Sequence, residues 1–348
     1  MNKISALVTG VGGSGIGSQI LKALKMSSLD LNIIGTDTTD KSTGVKEADH
    51  FYRVPLANDA EYFPAIFEIC TTQNVKIIFP GSEPELMIFS KHRHIFNEAG
   101  IIMPINTEEV IDICLDKFKT NVFLSESGFS FPRTCRITNI EEIPSINYYP
   151  VVIKPNTGGS GSNGVMIAQN KEELAVFTSF LLNISPDLVV QEYVGDAESE
   201  YTVGVITSLE GEFINSIAVQ RVIDNGLGNK LKVKNNTGKT ELGKNLVVSS
   251  GISQGTIGKF SDVTKQCEEV AKKIKSKGPL NIQCRLVEGK VFVFEINPRY
   301  SGTTSLRAMV GFNEPELMIR KYVLGENINP NFYFPEKVIM RTLKEVML

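Results

Sequence analysis

One stretch of the chain combines the alternating pattern of a β-hairpin with a row of oxygen-donor side chains: residues 281–299, NIQCRLVEGKVFVFEINPR. If the hairpin turn is centred on Gly289, residues equally distant from it face each other, which pairs Gln283 with Glu295. Side chains alternate between the two faces of a strand, so Asn297 shares the face of Glu295. The opposite face is expected to pack into a core and consists of Ile282, Cys284, Leu286, Phe292, Phe294 and Ile296.

The polar face of this hairpin presents three oxygen donors, Gln283, Glu295 and Asn297. Such a set is too small to enclose Ca²⁺, but it suits Mg²⁺, which completes its octahedron with phosphate oxygens and water. A merely solvated polar face is the alternative interpretation, although it gives no reason for Gln, Glu and Asn to be followed by Pro298 and Arg299. The stretch therefore predicts a metal–nucleotide site.

Upstream of the hairpin, a glycine-rich segment follows a lysine at the end of a strand: residues 154–165, KPNTGGSGSNGV. Its small residues predict a flexible lid whose backbone N–H groups can wrap phosphate, with the ammonium of Lys154 as a point charge. The segment is not a Walker A loop, which needs Gly-Lys-Ser/Thr at the start of a helix. A plain hairpin loop is the alternative, although about two to five turn residues suffice for one.

The N-terminal part alternates short apolar strands with helical patterns. Strands are expected over 4–9, 31–35 and 75–79, and helices over 14–25, 59–72 and 83–99. This βα rhythm predicts a parallel, doubly wound sheet that is covered on both faces.

Two segments lie at the carboxyl edge of this sheet, where open α/β sheets bind ligands. The first, GVGGSG at 10–15, matches a dinucleotide fingerprint with Asp37 at the end of the next strand. It indicates either a nicotinamide cofactor or glycines that only tighten the first βα turn. The second, PGSEPEL at 80–86, either faces an acceptor substrate or is simply a helix start capped by Ser82.

From Asp116 onward strands predominate and the texture becomes α+β. Helices are expected over 116–127 and 171–182, and strands over 133–137, 151–154, 165–168, 188–193, 200–207 and 212–222. The polar, lysine-containing segment 224–245 is expected to be a mobile loop, either solvated or ordering over an acidic substrate. A helix over 262–277, capped by Ser261, precedes the hairpin, and a last long helix spans 303–324.

Composition narrows the class of partner. The 348 residues include 36 Lys and Arg against 39 Asp and Glu, which gives a formal net charge of −3 and argues against a dedicated nucleic-acid or membrane binder. The five cysteines are scattered and never spaced as CxxC, so neither a disulfide framework nor a zinc site is expected. The apolar stretch at the N-terminus is too short and too rich in glycine for a signal peptide. Together these features favour a cytoplasmic protein that acts on small molecules.

Three motifs, in this order and spacing, resemble the ATP-grasp superfamily. They are residues 152–155 with the lid, residues 190–194 with 200–203, and residues 294–299. Their texture is similar to that of the large chain of carbamoyl-phosphate synthetase and related carboxylate-amine ligases. The resemblance covers essentially the whole chain. It implies a doubly wound pre-ATP-grasp, Rossmann-like domain at 1–113, followed by a two-subdomain ATP-grasp fold with a central subdomain at 114–190 and a C-terminal subdomain at 191–348.

The resemblance also implies residues that bind ATP. Lys117 and Lys154 would contact the phosphates, Glu192 and Val194 would hold adenine through backbone groups, and Glu200 would take the ribose hydroxyls. The lid over 157–164 would close on the phosphates, with its binding residues at Gly158, Gly159, Ser160 and Gly161.

Metal binding and catalysis follow from the same resemblance. Gln283, Glu295 and Asn297 would hold Mg²⁺, as one ion or two, with Mn²⁺ as an alternative. Arg299 would stabilise the transferred phosphoryl group and the acyl phosphate, and Arg221 matches a basic position that often touches the γ-phosphate.

The implied activity is an ADP-forming ligase that forms a C–N bond. ATP would activate a carboxylate as an acyl phosphate, which an amine then attacks, so the expected partners are small-molecule carboxylates and amines, and a homodimer is left open. Gly302 stands where the carbamoyl-phosphate enzymes carry side chains that grip bicarbonate or carbamate, which predicts room for a larger acid. The alternatives are a nicotinamide-dependent oxidoreductase that uses the N-terminal GxGxxG and an ATP-binding regulatory protein without turnover.

Overall fold

The computed structural model describes residues 3–13, 15–158, 163–223, 226–343 and 345–348. The N-terminal strands are β1 (Ile4–Val8), β2 (Leu31–Asp37), β3 (His50–Arg53) and β4 (Ile77–Phe79). The helices are α1 (Ile16–Lys25), α2 (Gly44–Glu47), α3 (Tyr62–Thr72), α4 (Glu83–Lys91) and α5 (Arg93–Glu98). The strands form one parallel sheet in the order β3-β2-β1-β4, so the predicted doubly wound pattern is confirmed.

One helix that the sequence predicts in the N-terminal part is divided into two helices in the structure. The segment 83–99 is interrupted at His92, whose backbone leaves helical geometry (φ −101°, ψ 15°) where its ring stacks on Phe63 with 4.0 Å between centroids.

Two helices lead from the parallel sheet into the rest of the chain, α6 (Glu108–Leu115) and α7 (Lys117–Glu126). The predicted helix over 116–127 is confirmed as α7. Asp116 stands between them in extended conformation, and its carboxylate accepts the N–H of Lys119 at 2.8 Å, which caps α7. This cap places Lys117 at the first position of α7, where its side chain is directed at the glycine-rich segment.

A second sheet carries the glycine-rich segment. Its strands are β5 (Thr134–Ile137), β6 (Val151–Pro155), β7 (Met166–Ala168) and β8 (Leu188–Glu192), which pair antiparallel in the order β5-β8-β6-β7. Helix α8 (Lys171–Leu182) is capped at its start by Asn170, whose side chain accepts the N–H of Glu173. It packs on the sheet to form a separate apolar core around Val151, Leu174 and Leu188.

The remaining strands are β9 (Glu200–Thr207), β10 (Phe213–Arg221), β11 (Asn229–Lys234), β12 (Asn245–Ser249), β13 (Gly255–Gly258), β14 (Pro279–Val287), β15 (Lys290–Asn297) and β16 (Lys337–Ile339). Six of these form an antiparallel sheet in the order β15-β14-β9-β10-β13-β16. The helices are α9 (Ser261–Lys273), α10 (Thr304–Met309) and α11 (Glu314–Tyr322).

Three sequence-based expectations about this region are wrong. The supposed mobile loop over 224–245 contains β11, which pairs antiparallel with β12 because Leu231 and Val233 turn inward between outward lysines. The supposed long last helix is split into α10 and α11 around Gly311, whose φ of 93° is incompatible with a helix. Ser261 does not cap α9 but is its first residue, after Phe260 in left-handed conformation.

The hairpin β14–β15 pairs Gln283 with Glu295 as predicted, but the register between this pair and the turn differs from the prediction. The turn is two residues long, since Glu288 (φ 50°) and Gly289 (φ 75°) both have positive φ, so the register near the turn is offset by one residue from the prediction. A β-bulge at Phe294 then restores the predicted pairing. Beyond the turn the faces are therefore exchanged: Val291 and Val293 are in the core, whereas Phe292 and Phe294 line a cleft.

The parallel sheet and the six-stranded sheet share one apolar core. Side chains from α1, such as Ile20, pack in the same cluster as Val219 of β10 and Phe312 between α10 and α11. The other face of the six-stranded sheet packs against α6, α7 and α9. Within the described ranges, no helix is long and apolar enough to cross a membrane.

Candidate active site

One cleft of about 1460 Å³ is lined by the parallel sheet, the sheet of β5 to β8, the six-stranded sheet and the pair β11–β12. Its walls include Lys154 from β6, Glu192 from β8, Arg221 from β10 and Glu295 from β15. The edge of the parallel sheet contributes the loop after β4. The cleft thus brings together residues that the sequence spreads over more than half of the chain.

The predicted metal donors lie together on the cleft side of the hairpin. Gln283 and Glu295 are directly paired across the two strands, and Asn297 Nδ2 donates to Glu295 Oε1 at 3.2 Å. Burial acts to raise the pKa of Glu295, but the nearby cations Lys117, Lys154 and Arg299 outweigh it and hold the pKa below its usual value. The set thus contains an ionised carboxylate between two amides.

This donor set fits Mg²⁺, which prefers oxygen ligands and takes few of them from the protein. Among the described residues, no cluster of three or more His, Cys, Asp and Glu side chains could hold a metal ion. The predicted site has one carboxylate and two amides, and such oxygen donors suit Mg²⁺ better than softer metals.

Two lysines reach the same end of the cleft from different elements. The buried Lys154 ammonium donates to the carbonyl oxygen of Phe294 at 3.3 Å and lies 5.6 Å from the centre of that ring. Burial lowers the pKa of Lys154 from 10.5 to about 8, against the opposing attraction of Glu295. Lys117 donates to the carbonyl oxygen of Gly158 at 3.0 Å. Ammonium groups held in this way favour an anionic ligand such as phosphate.

The glycine-rich lid is described only at its two ends. Gly158, with a φ of 68°, lines the cleft, and so does Asn163 at the other end. The predicted phosphate-binding residues Gly159, Ser160 and Gly161 lie outside the described residues.

The segment after β8 forms another part of the cleft wall. Glu192 and Val194 both line the cleft, and the Glu192 carboxylate lies 3.5 Å from Nε of the exposed Arg133. The carbonyl oxygen of Val194 accepts a hydrogen bond from Arg285 at 3.1 Å, which fixes the backbone at this position. A fixed backbone edge beside apolar walls suits a flat heterocycle.

The predicted ribose ligand Glu200 is engaged in a buried charge network. Its Oε1 accepts from Arg221 at 3.2 Å, and its Oε2 accepts from Arg285 Nη2 at 3.0 Å. Arg221 also donates to Ser249 and to the carbonyl of Ser250, while its buried Nε has no partner among the described residues. The structure thus brings Glu200 and Arg221 together. The sequence predicted both as residues of the site but did not predict that they form an ion pair.

Arg285 is a residue that the sequence analysis missed. It contacts Glu200, stacks on Tyr193 with its guanidinium carbon 4.4 Å from the ring centre, and donates to the carbonyl oxygens of Val194, Gly195 and Val247. Its position two residues after Gln283 places it on the same strand face, so the alternation used for the metal donors also pointed to it.

Arg299 is held by a second missed residue, Glu83. Arg299 Nη2 donates to Glu83 Oε1 at 2.6 Å, and Nη1 donates to the carbonyl oxygen of Tyr300 at 3.1 Å. Both side chains line the cleft. Of the two interpretations of the segment 80–86, the helix start capped by Ser82 is confirmed, whereas contact with an acceptor substrate stays a prediction.

The N-terminal glycine motif and the start of α1 are held closely within the parallel-sheet part of the chain. Asp37 Oδ2 accepts the N–H of Gly12 at 2.6 Å and Oδ1 accepts that of Thr38 at 2.8 Å, so both oxygens of this carboxylate already hold backbone. A Cβ on Gly17 would lie 2.1 Å from the carbonyl oxygen of Thr9, which explains the glycine there by close packing. Gly10 and Gly15 still line the cleft at its outer end.

Family models match an N-terminal part and a C-terminal part of the chain. Residues 7–104 match the family model of the PylC-like N-terminal domain, and residues 184–346 match that of ATP-grasp in the biosynthetic pathway with Ter operon. The carbamoyl phosphate synthase large chain of Halobacterium salinarum is 21% identical over 290 residues, which are 81% of this chain and 26% of that protein. The chain thus spans about a quarter of the length of such relatives.

Solved structures share the fold. The biotin carboxylase domain of the Hydrogenobacter thermophilus 2-oxoglutarate carboxylase, determined with MgADP and bicarbonate, superposes with a TM-score of 0.64 at 17% identity, over 95% of this chain and 72% of that one. The N5-carboxyaminoimidazole synthetase of Staphylococcus aureus with ADP gives 0.64 at 14% identity, over 97% and 81%. Residues 184–346 thus resemble ATP-grasp proteins, and the predicted fold class is confirmed.

Proposed function

We propose that this chain, an ATP-grasp protein by fold and by sequence similarity, is an ADP-forming ligase that joins a carboxylate to an amine. The observation that carries the proposal is the convergence, in one cleft, of the ionised Glu295 with three cations, Lys117, Lys154 and Arg299. An ionised carboxylate between amides can seat a metal ion, and the cations can surround the phosphates that the metal carries.

The residues present fit Mg²⁺ and ATP. Gln283, Glu295 and Asn297 would hold the metal, which when bound neutralises charge on the β- and γ-phosphate oxygens. Lys154 and Lys117 would contact the phosphates from the side of the lid. The fixed backbone around Val194 would take adenine, and Glu200 would be positioned by Arg221 and Arg285 to accept from the ribose.

The chemistry proposed has two steps. A carboxylate oxygen of the substrate attacks the γ-phosphorus, the bond from that phosphorus to the bridging oxygen of ADP breaks, and an acyl phosphate forms. The amine nitrogen then attacks the acyl carbon, phosphate leaves, and the nitrogen loses a proton. Arg299 and Lys154 stabilise the charge on the transferred group, and a closed cleft keeps water from hydrolysing the acyl phosphate.

An oxidoreductase is less well supported because residues 184–346 match an ATP-grasp family model and the similar solved structures include complexes with ADP. An ATP-binding protein without turnover would share the same cleft, so only a reaction separates it from a ligase.

The test measures binding and turnover separately. Isothermal titration should detect MgATP binding and no binding of NADH or NADPH. ADP release is then measured with added carboxylates in the presence of hydroxylamine. Hydroxamates should form, because hydroxylamine traps acyl phosphates. Tight binding without any hydroxamate across the acids tried would favour the non-catalytic alternative, and binding of NADPH in place of ATP would overturn the proposal.

A further inference from the structure

The ion pair between Arg299 and Glu83 joins the hairpin to the first turn of α4. Only 10% of the Arg299 side chain and 19% of the Glu83 side chain are exposed, and the two atoms that meet are 2.6 Å apart. Arg299 Nε is buried and has no partner among the described residues, so this guanidinium retains capacity for a further acceptor. Glu83 cannot easily withdraw, because Ser82 caps its helix and Pro84 follows.

This pair has a consequence for any anion that binds Arg299. In the proposed function, Arg299 faces the transferred phosphoryl group and the acid it is transferred to. An incoming carboxylate competes with Glu83 for Arg299 and lies next to it. Two carboxylates in a largely buried site repel each other, and a carboxylate deprived of its cation is costly to keep there. A cation must therefore accompany the acid.

Among the described residues, Arg299 is the one cation in an ion pair with Glu83. Lys117 and Glu83 border the same small pocket beside Glu295 and Asn297, but Lys117 is already directed at the carbonyl oxygens of Gly158 and Asn156. The neighbours of this pair in sequence that line the cleft include small, uncharged residues, namely Ser82, Ser301, Gly302 and Thr303. A bound Mg²⁺ would be matched by Glu295 and the ATP phosphates, so the positive charge for Glu83 has to come with the substrate, and these small residues leave room for it.

We infer that Glu83 binds a protonated amino group of the acid that is activated, so that the substrate class is amino acids rather than simple carboxylic acids. Arg299 and Glu83 then form a matched pair for a zwitterion, one receiving its carboxylate and the other its ammonium group. In the absence of substrate, the two protein groups neutralise each other. The inference rests on the proposed ligase function and adds the substrate class to it.

The test compares each amino acid with its own des-amino acid. ADP release and hydroxamate formation are measured with MgATP and hydroxylamine for the proteinogenic L-amino acids, their D-enantiomers and the corresponding acids without the amino group, such as alanine with propionate and glutamate with glutarate. Hydroxylamine replaces the natural amine, so any requirement for an ammonium group belongs to the acid itself. We expect at least one amino acid to exceed its des-amino partner in kcat/KM by about 100-fold or more.

Variants then assign this preference to Glu83. Glu83→Gln should reduce the preference to less than about tenfold by raising KM for the amino acid, with MgATP affinity within about twofold of the wild type. Glu83→Ala is the second variant, in case the amide pairs with Arg299 in a new way. Asp112→Asn is the matched control, since Asp112 is an exposed cleft-rim carboxylate that pairs with Lys119, and it should leave the preference unchanged.

The outcomes separate the two proposals. If MgATP binds but no amino acid exceeds its des-amino partner, or if the preference survives in both Glu83 variants, the inference about Glu83 is wrong while the ligase proposal stands. If MgATP does not bind to the wild-type chain, the ligase proposal itself fails.

Discussion

Lys154 and Glu295 show how the cleft stores charge for a ligand. Lys154 is buried and Glu295 is partly buried, and burial dominates only at the lysine, whose pKa falls to about 8, whereas three cations keep the pKa of Glu295 below its usual value. Because the folded pKa of Lys154 lies below its unfolded value, charged Lys154 destabilises the fold in full below about pH 8, and the penalty is relieved between about pH 8 and 10.5. Binding of phosphate would remove this penalty, a stability cost typical of sites prepared for a ligand.

The first prediction concerns the metal seat. Glu295→Gln keeps the shape of the side chain but removes the only charge of the donor set, so Mg²⁺-dependent ATP turnover should fall by about 100-fold or more. Glu288→Gln, at the exposed tip of the same hairpin, is the control and should retain wild-type turnover. Circular dichroism and thermal unfolding should show both variants folded. Wild-type turnover in Glu295→Gln would remove Glu295 from the metal site.

A second prediction concerns Glu85, a buried carboxyl of α4 that the cleft does not use. Burial raises its pKa, although Ser82 and Tyr62 donate to its two oxygens, each at 2.8 Å. A raised folded pKa means that its stabilising contribution is complete below its unfolded value of 4.5 and is lost as pH rises through the folded value.

Glu85→Gln cannot ionise and, like a protonated carboxyl group, presents one acceptor and one donor to the hydroxyl groups of Tyr62 and Ser82. Its unfolding free energy relative to wild type should therefore increase as the pH rises above 4.5, as measured by urea unfolding. Glu98→Gln, on the exposed side of α5, should show no such trend. A pH-independent difference for Glu85→Gln would mean that Glu85 is ionised in the fold.

At the scale of secondary structure, the hairpin shows what a sequence pattern can and cannot predict. The pairing of Gln283 with Glu295 followed from alternation alone. The exchanged faces of Val293 and Phe294 did not, because a β-bulge depends on how β15 fits its neighbour and leaves no separate mark in the sequence. Alternation placed Arg285 on the face of Gln283 but did not predict its ion pair with Glu200, and Glu83 was missed because its role comes from Arg299, a partner far along the chain.

The third prediction concerns the connection between β8 and β9, which Arg285 fixes. Arg285→Lys retains the charge but cannot reach the carbonyl oxygens of Val194, Gly195 and Val247 together with Glu200. Unfolding free energy should fall by about 2–4 kcal/mol and KM for ATP should rise about tenfold. Arg136→Lys, in an exposed pair with Asp187, is the control and should cost less than about 1 kcal/mol. An unchanged KM for ATP in Arg285→Lys would show that this connection does not hold the nucleotide.

For the whole molecule, the sequence predicted the two kinds of sheet but not how they share cores. The βα rhythm and the later antiparallel strands were recognisable, whereas the common core of α1, β10 and Phe312 joins segments that lie far apart in the chain. The buried Asn106 shows the same dependence, since its amide donates to the carbonyl oxygens of Pro279 and Pro298. The predicted domain limits at 113 and 190 stay predictions, and the shared core suggests that the first and third of these units unfold together.

The last prediction follows from this distribution of cores. The sheet of β5 to β8 has its own core with α8, and its links to the six-stranded sheet include the contact of Lys154 with Phe294. In the absence of ligand its amides should exchange hydrogen faster than those of β9 and β14, which lie inside the larger sheet. MgATP would bridge Lys154 and Glu295 and should slow exchange in β6 and β8 by about tenfold or more, as measured by mass spectrometry of peptic peptides. The Glu295→Gln variant is the matched control and should lose most of this protection. Equal protection in both proteins would mean that nucleotide does not connect the two sheets through the hairpin.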